Sequence, residues 1–276
     1  MKNRINHFCI TGKNYPILND LGIEIILSGA ISKNHYNFPN NWHKDCDGIN
    51  ISKKNKNFGT LTSHYWIWKN KLSNYKNDQW IGINHYRRFW IKKKGLNITR
   101  NNLKKNILRF VPKNNKYEVF LPKKIHLKDI KLSKLIKKGF NNYIRNPKIL
   151  FNRKKISINL HFDLFHGYNL LTQASQFLEK EDRNEFLKYI KEKNTFYPLE
   201  IFICQKKNLI KLYEKTFKWI FKCEKFFNKK KIKLIGYSKE RLYDFLAERY
   251  FSFYFENNLI IKSLPIILIK DKIYEI

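Results

Sequence analysis

This chain has little acid, little glycine or proline, few cysteines and no long apolar run. Against 56 Lys and Arg stand 22 Asp and Glu, a formal net charge of +34. Glycine occurs 10 times and proline 7 times in 276 residues. None of the glycines falls into G-x-G-x-x-G or the P-loop pattern, and G-x-S-x-G and H-E-x-x-H are absent too. The motif signatures of dinucleotide binding, P-loop phosphate binding, serine hydrolysis and zinc proteolysis are therefore missing. The four cysteines, Cys9, Cys46, Cys204 and Cys223, make no C-x-x-C pair and no zinc-finger spacing. Three lie in apolar stretches, where cysteine behaves as a small hydrophobe. The expectation is a reducing, cytoplasmic compartment. Residues 1–7 are polar and the apolar run after them is too short for a secretory leader. No stretch approaches the ~20 apolar residues of a membrane span.

What is abundant is aromatic and basic. Phe, Trp and Tyr make up 16% of the chain, so it is unlike disordered sequences, which are poor in such side chains. Its length suits one large α/β domain, expected over residues 1–276 with no obvious linker. Lys, Asn, Ile, Phe and Tyr are all frequent, the profile of an A/T-rich genome, and the lysines are spread along the chain. Codon bias is thus the larger cause of the charge. Its physical consequence is attraction to polyanions: phosphorylated small molecules, nucleic acid or an anionic membrane face.

Apolar patterning predicts strands over 7–11, 23–28, 80–84, 117–121 and 201–204, and helices over 60–70, 169–193 and 206–227. A further helix follows Gly236, with Ser238 as N-cap. Residues 32–58 read as a long polar loop, 125–160 as mixed and basic, and 259–269 as a strand pair around Pro265. Strands and helices alternate in the first half, which predicts a mostly parallel central sheet flanked by helices, with a helical carboxyl-terminal part. In such sheets ligands bind beyond the carboxyl ends of the strands, and two polar clusters fall there, at 11–14 and 85–88.

The 85–88 segment, His85-Tyr86-Arg87-Arg88, directly follows the strand over 80–84. Guanidinium groups bind phosphate oxygens bidentately and stay charged. Fixed cations there would stabilise the charge that builds on a departing nucleoside diphosphate. A solvated basic pair is the plainer reading of R-R in a Lys-rich chain. A second cluster is D-C-D-G-I-N-I-S over 45–52. Asp45 and Asp47 could ligate Mg²⁺ or Mn²⁺, and Asp47 and Asn50 could accept hydrogen bonds from a ribose or sugar. An Asx-type turn explains the same residues more simply. Glu200, just after Pro198, and Glu248, in a helix, are candidate general bases for an acceptor hydroxyl. For Glu248 the alternative is an ion pair with Arg241 or Arg249. The H-x-D of His161 and Asp163, with His166 nearby, is too common a pattern to imply a metal.

Several runs, in order, resemble one family: N-I-S-K-K-N (50–55), L-T-S-H-Y-W-I-W-K-N (61–70), I-G-I-N-H-Y-R-R-F-W (81–90), F-L-P (120–122), Y-P-L-E-I-F-I (197–203) and F-L-A-E-R (245–249). The chain is similar over about residues 6–258 to the domain of unknown function 4422, whose members are treated as glycosyltransferases of surface polysaccharide synthesis. It departs from that pattern at Gly12, Ile49, Thr60 and Glu200. The resemblance implies a GT-A-like nucleotide-binding fold in which H-Y-R-R ends the strand that carries D-x-D in metal-dependent enzymes. It also implies a nucleotide-sugar donor, held by Thr11, Lys13, Asp47, Asn50, Ser52, His85, Arg87 and Arg88, and a glycan or lipid-linked glycan acceptor. A divalent cation is optional in this reading. The basic segment over 206–233 suits contact with the inner membrane face. The competing class is a non-enzymatic, basic nucleic-acid-binding protein, for which no helix-turn-helix, zinc-finger or RNP sequence is present.

Overall fold

A computed structural model describes residues 3–95, 97–112, 116–129 and 156–269. Most of the basic stretch after residue 125 lies outside them. Two compact units are distinguished: Met1–Lys123, Glu200–Tyr213 and Asn258–Ile276 form the first, Lys124–Leu199 and Glu214–Asn257 the second.

The first unit is built on a sheet that has nine strands among the described residues. Its strands are β1 (Ile5–Thr11), β2 (Glu24–Leu27), β3 (His43–Lys44), β4 (Trp80–His85), β5 (Arg88–Trp90), β6 (Val119–Leu121), β9 (Ile203–Gln205), β10 (Ile261–Ser263) and β11 (Ile266–Leu268). The order β10-β6-β9-β4-β1-β2-β3 is parallel among β3, β2, β1 and β4 and between β6 and β10, with β9 antiparallel between its neighbours. The expected mixed α/β architecture with a mostly parallel sheet is what the chain adopts. β1 and β4 are nearly wholly buried, as continuous apolar strands with parallel neighbours are. Gly82 in β4 is required by close approach: a Cβ there would lie 2.6 Å from His7 Nδ1 and 2.8 Å from Ile5 Cγ2. His7 fills that space, with Asn84 Nδ2 donating to its Nδ1 at 3.0 Å and its Nε2 at 2.6 Å from the Leu108 carbonyl. This pairing assigns the proton to Nε2.

The stretch expected to be a long loop over 32–58 is instead ordered around Asp45. This carboxylate is fully buried and accepts from Gly29 N (2.8 Å), Ala30 N (2.9 Å), Ser52 Oγ (2.6 Å) and Thr62 Oγ1 (2.5 Å). Short helical turns and α1 (Asn55–Phe58) then lead into α2 (Leu61–Asn70). Trp66 and Asn70 of α2 tie down the other side of the loop, through Trp66 Nε1 to Asp47 O (2.9 Å) and Asn70 Nδ2 to Ile49 O (2.8 Å). The segment around Pro265 is not a paired hairpin. β10 joins β6 and β11 joins β5, because Leu264 N bonds Leu121 O while the carbonyl of Pro265, which has no N–H, accepts from Ile91 N. The first unit also holds α3 (Arg100–Asn106).

Among its described residues the second unit is helical apart from β7 (Ile125–His126) and β8 (Thr195–Phe196), which pair antiparallel. The helix expected over 169–193 is divided into α5 (Leu170–Ser175) and α6 (Lys180–Glu192), after α4 (Ile158–Phe165). α7 (Lys206–Lys229) begins in the first unit and continues into the second. The helix expected after Gly236 starts as the short α8 (Tyr237–Glu240), capped at Gly236 and not at Ser238, and α9 (Leu242–Asn258) follows. Among the described residues no helix is long and apolar enough to cross a membrane.

Candidate functional site

From β1 the chain proceeds to β2 and β3 on one side, and it returns as β4 on the other. The order of strands therefore reverses between β1 and β4, and open α/β sheets bind ligands outside the carboxyl ends of strands at such a point. β1 ends at Thr11 and β4 at His85. β9 runs the opposite way, with Ile203 opposite Gly82 and Ile83 N donating to Phe202 O. Its amino end, preceded by Glu200, thus lies at the same rim.

The 85–88 segment is a tight hairpin and not a simple strand end. His85 pairs with Arg88 across the two-residue turn Tyr86-Arg87. Neither turn residue has positive φ, so this is not one of the primed turns that match strand twist. β5 accordingly leaves β4 after one residue pair and continues against β11. The turn is fastened on three sides: Tyr86 N donates to Ile10 O (3.1 Å), Ile269 N donates to Arg87 O (2.8 Å), and the Tyr86 ring stacks on Tyr15 with centroids 4.9 Å apart. The Arg87 guanidinium lies 5.0 Å from the Tyr86 ring centroid, within cation–π range. Burial and the neighbouring Arg87 cation lower the Arg88 pKa from its usual value, yet a guanidinium keeps its charge. The rim therefore carries two fixed cations and an imidazole on a braced turn.

Thr11 and Lys13 close the end of β1. Thr11 Oγ1 donates to Lys13 O (2.7 Å) and accepts from Lys13 N (3.1 Å), leaving the Lys13 side chain exposed at the rim.

Glu200 is buried and accepts from Thr60 Oγ1 at 2.8 Å. His64 Nε2 lies 3.7 Å from the same oxygen, and its Nδ1 is 2.8 Å from Tyr213 OH. Burial pushes the His64 pKa down to about 3, so His64 is neutral and its contact with Glu200 is not an ion pair. His64 and Tyr213 each sit in an apolar helical stretch, and the one signal for them in the sequence is a histidine on the buried face of L-T-S-H-Y-W.

The 45–52 cluster serves its own loop. Asp45 has both oxygens occupied by four protein donors, and Ser52 is one of them. Asn50 Nδ2 donates to Cys46 O and Gly48 O, and its Oδ1 accepts from Ser52 N, as in an Asx turn. Asp47 is exposed. Asp45 and Asp47 thus do not fit a cation as a D-x-D pair, and among the described residues no group of three or more His, Cys, Asp and Glu is suited to a metal.

Glu248 belongs to the second unit. One oxygen accepts from Leu199 N at 2.6 Å and the other pairs with Arg249. Arg249 is buried beside His161 Nδ1 (3.3 Å) and His166 Nε2 (3.4 Å), and 4.2 Å from the Phe196 ring centroid. Leu199 and Glu200 both have positive φ, 77° and 52°, which costs about 1–2 kcal/mol per non-glycine residue. Glu248 secures the backbone N–H of Leu199. Asp244, one turn earlier, pairs with Arg241 at 2.6 Å.

Fold and site together define an α/β protein with a cationic rim at its topological switch point. The chain matches, over residues 7–259, the model of the family described as domain of unknown function DUF4422, and it belongs to that family. No curated protein matches it. A solved structure that it resembles is the apo form of the WbbM bifunctional glycosyltransferase, at 19% identity with a TM-score of 0.68. The likeness covers 97% of this chain and 46% of the other. The chain spans about half the length of that solved protein, and the similarity is one of fold.

Proposed function

We propose that this protein is a glycosyltransferase that moves a sugar, of hexosyl or galactosyl type, from a nucleotide-diphospho-sugar to a glycan or lipid-linked glycan acceptor in surface polysaccharide synthesis at the cytoplasmic membrane face. The observation that carries the reading is the braced 85–88 hairpin at the switch point between β1 and β4. The GT-A-like assignment draws support from the same place, since a strand end at the switch is where a nucleotide diphosphate is held.

In this mechanism Arg87, Arg88 and His85 hold the diphosphate, with Lys13 and Thr11 at the neighbouring strand end. The bond from the anomeric carbon to the phosphate oxygen breaks, and the cations take up the charge left on the nucleoside diphosphate. The acceptor oxygen bonds to the anomeric carbon as its proton passes to Glu200. Thr60 Oγ1 donates to this carboxylate and holds it in place. Glu248, held by Arg249 and Leu199, serves as a positioning residue in this reading. Asp47 is an exposed carboxylate of the 45–52 loop and is the one that would meet a donor or a Mg²⁺ or Mn²⁺ ion that the donor brings.

The test is a panel of sugar nucleotides with release of UDP or GDP as the readout. Turnover of one donor supports the assignment. Failure to bind any sugar nucleotide, together with sequence-selective nucleic-acid binding at physiological salt, would overturn it.

A further inference from the structure

The apolar side of α7 is spent inside the protein: Leu209, Leu212, Phe217, Trp219, Ile220 and Phe227 are all buried. It is therefore not available to lie in a membrane, as the basic 206–233 segment alone would allow. What stands out is the end of the helix. Ile232 N bonds Phe227 O, Lys231 N bonds Asn228 O, and Lys231 has φ 50°. This is a Schellman stop, whose left-handed position usually carries glycine; here it carries lysine.

Along α7, Lys218 and Lys222 share Glu179, and Lys215 binds Asp182. Lys230 reaches Gln173 and covers the Phe226 ring. Lys229, Lys231 and Lys233 are exposed and have no acidic partner among the described residues. Beside them Ile235 is 73% exposed, with Ile232 and Leu234 half-buried. Lysines at a helix carboxyl end are favoured by its dipole, but that effect fades within the last turn. It accounts neither for Lys233 nor for an exposed isoleucine among the lysines. Phosphates alone would offer that isoleucine nothing to bury in, whereas a bilayer offers headgroups to the ammonium ions and acyl chains to the apolar tip.

We propose that the tip formed by Lys229, Lys231, Lys233 and Ile235 docks the protein on an anionic phospholipid bilayer. This goes beyond the transfer reaction and stands without it, because the tip is built from none of the residues assigned to donor or acceptor.

The experiment is co-sedimentation of the full chain with phosphatidylglycerol–phosphatidylcholine vesicles at physiological salt, with phosphatidylcholine vesicles as reference. A lysine near an anionic surface contributes about fivefold in affinity. The variant K229Q/K231Q/K233Q should therefore bind the anionic vesicles about 100-fold more weakly. The control K180Q/K188Q/K191Q removes the same charge from exposed positions of α6 and should bind nearly as the wild type does. Lys231→Gly relieves the left-handed strain, keeps the fold by circular dichroism, and still loses about fivefold. Ile235→Ser should make the remaining binding more salt-sensitive. Sugar-nucleotide turnover with a soluble acceptor should be unchanged in all four variants. Equal losses in the tip variant and the control would overturn the proposal, as would wild-type affinity in the tip variant. Loss of duplex DNA binding without loss of vesicle binding would overturn it too.

Discussion

His85 and Arg88 are the single residue pair that joins β4 to β5, and Tyr86 and Arg87 are the whole of the turn between them. Directly opposed residues on antiparallel strands send their side chains from the same face. The imidazole and the Arg88 guanidinium therefore leave the same face side by side at the end of β4. Arg88→Ala should lower kcat/KM for the sugar nucleotide by about 10–100-fold, the equivalent of about 1.5–3 kcal/mol for a charge-assisted hydrogen bond. Arg88→Lys should recover part of that loss, since it returns the charge without the planar fork. Steady-state kinetics check this, and wild-type kcat/KM in Arg88→Ala would count against the rim assignment.

The two glutamates should separate by readout. Glu200→Gln keeps the shape and loses the proton acceptor, so kcat should fall by about 10²–10⁴ with KM little changed. Glu248→Ala leaves the buried Arg249 without its carboxylate, so stability should fall by about 3–5 kcal/mol. Urea unfolding and kinetics on both variants decide it. A Glu248→Ala protein that is stable but dead would reverse the two roles.

Asp45→Ala should destabilise the protein by about 3 kcal/mol or more, because two backbone N–H groups and two hydroxyls lose their buried acceptor at once. Thermal unfolding measures it. An Asp45→Ala protein of unchanged stability that loses Mn²⁺-dependent turnover would restore the metal reading of the D-x-D pair.

Much of the first unit is legible from residues alone. β1, β2, β4 and β6 are short apolar runs with turn residues after them, and α2 has helical length and a buried face. The 32–58 stretch is not legible, because what orders it is a carboxylate whose partners at 29 and 30, at 52 and at 62 come from three places in the chain. Nor is the direction of β9, since I-F-I-C reads the same in a parallel or an antiparallel ladder. That direction is what brings Glu200 to the rim of His85. The cationic cluster was visible as a motif at a strand end; its hairpin form depends on β11, far off in sequence, pairing with β5.

Stability should depend on pH through three buried histidines, His7, His64 and His161, the last held well below its ordinary value by burial and by the cation of Arg249. Burial pushes His7 down to about 4 and His64 to about 3, against an ordinary 6.5. The unfolded chain takes up protons below pH 6.5 while the folded one does not, so stability is complete above 6.5 and falls with decreasing pH. Each histidine contributes a slope of about 1.4 kcal/mol per pH unit within its window. Asp163, raised by burial to about 6, works the other way, since the folded state binds its proton more readily between its ordinary 3.8 and 6. The three histidines outweigh it. The urea midpoint should drop between pH 6.5 and 4.5, and His64→Gln should flatten the drop; a midpoint constant over that range would contradict the buried, neutral histidines.

The central claim is that the 85–88 hairpin holds the diphosphate of a sugar nucleotide. Calorimetric titration of UDP- and GDP-sugars into the wild type and Arg87→Ala tests it most directly. The account predicts that one donor binds the wild type and binds Arg87→Ala about 10–100-fold more weakly. Equal affinity for that donor in the two proteins would contradict it.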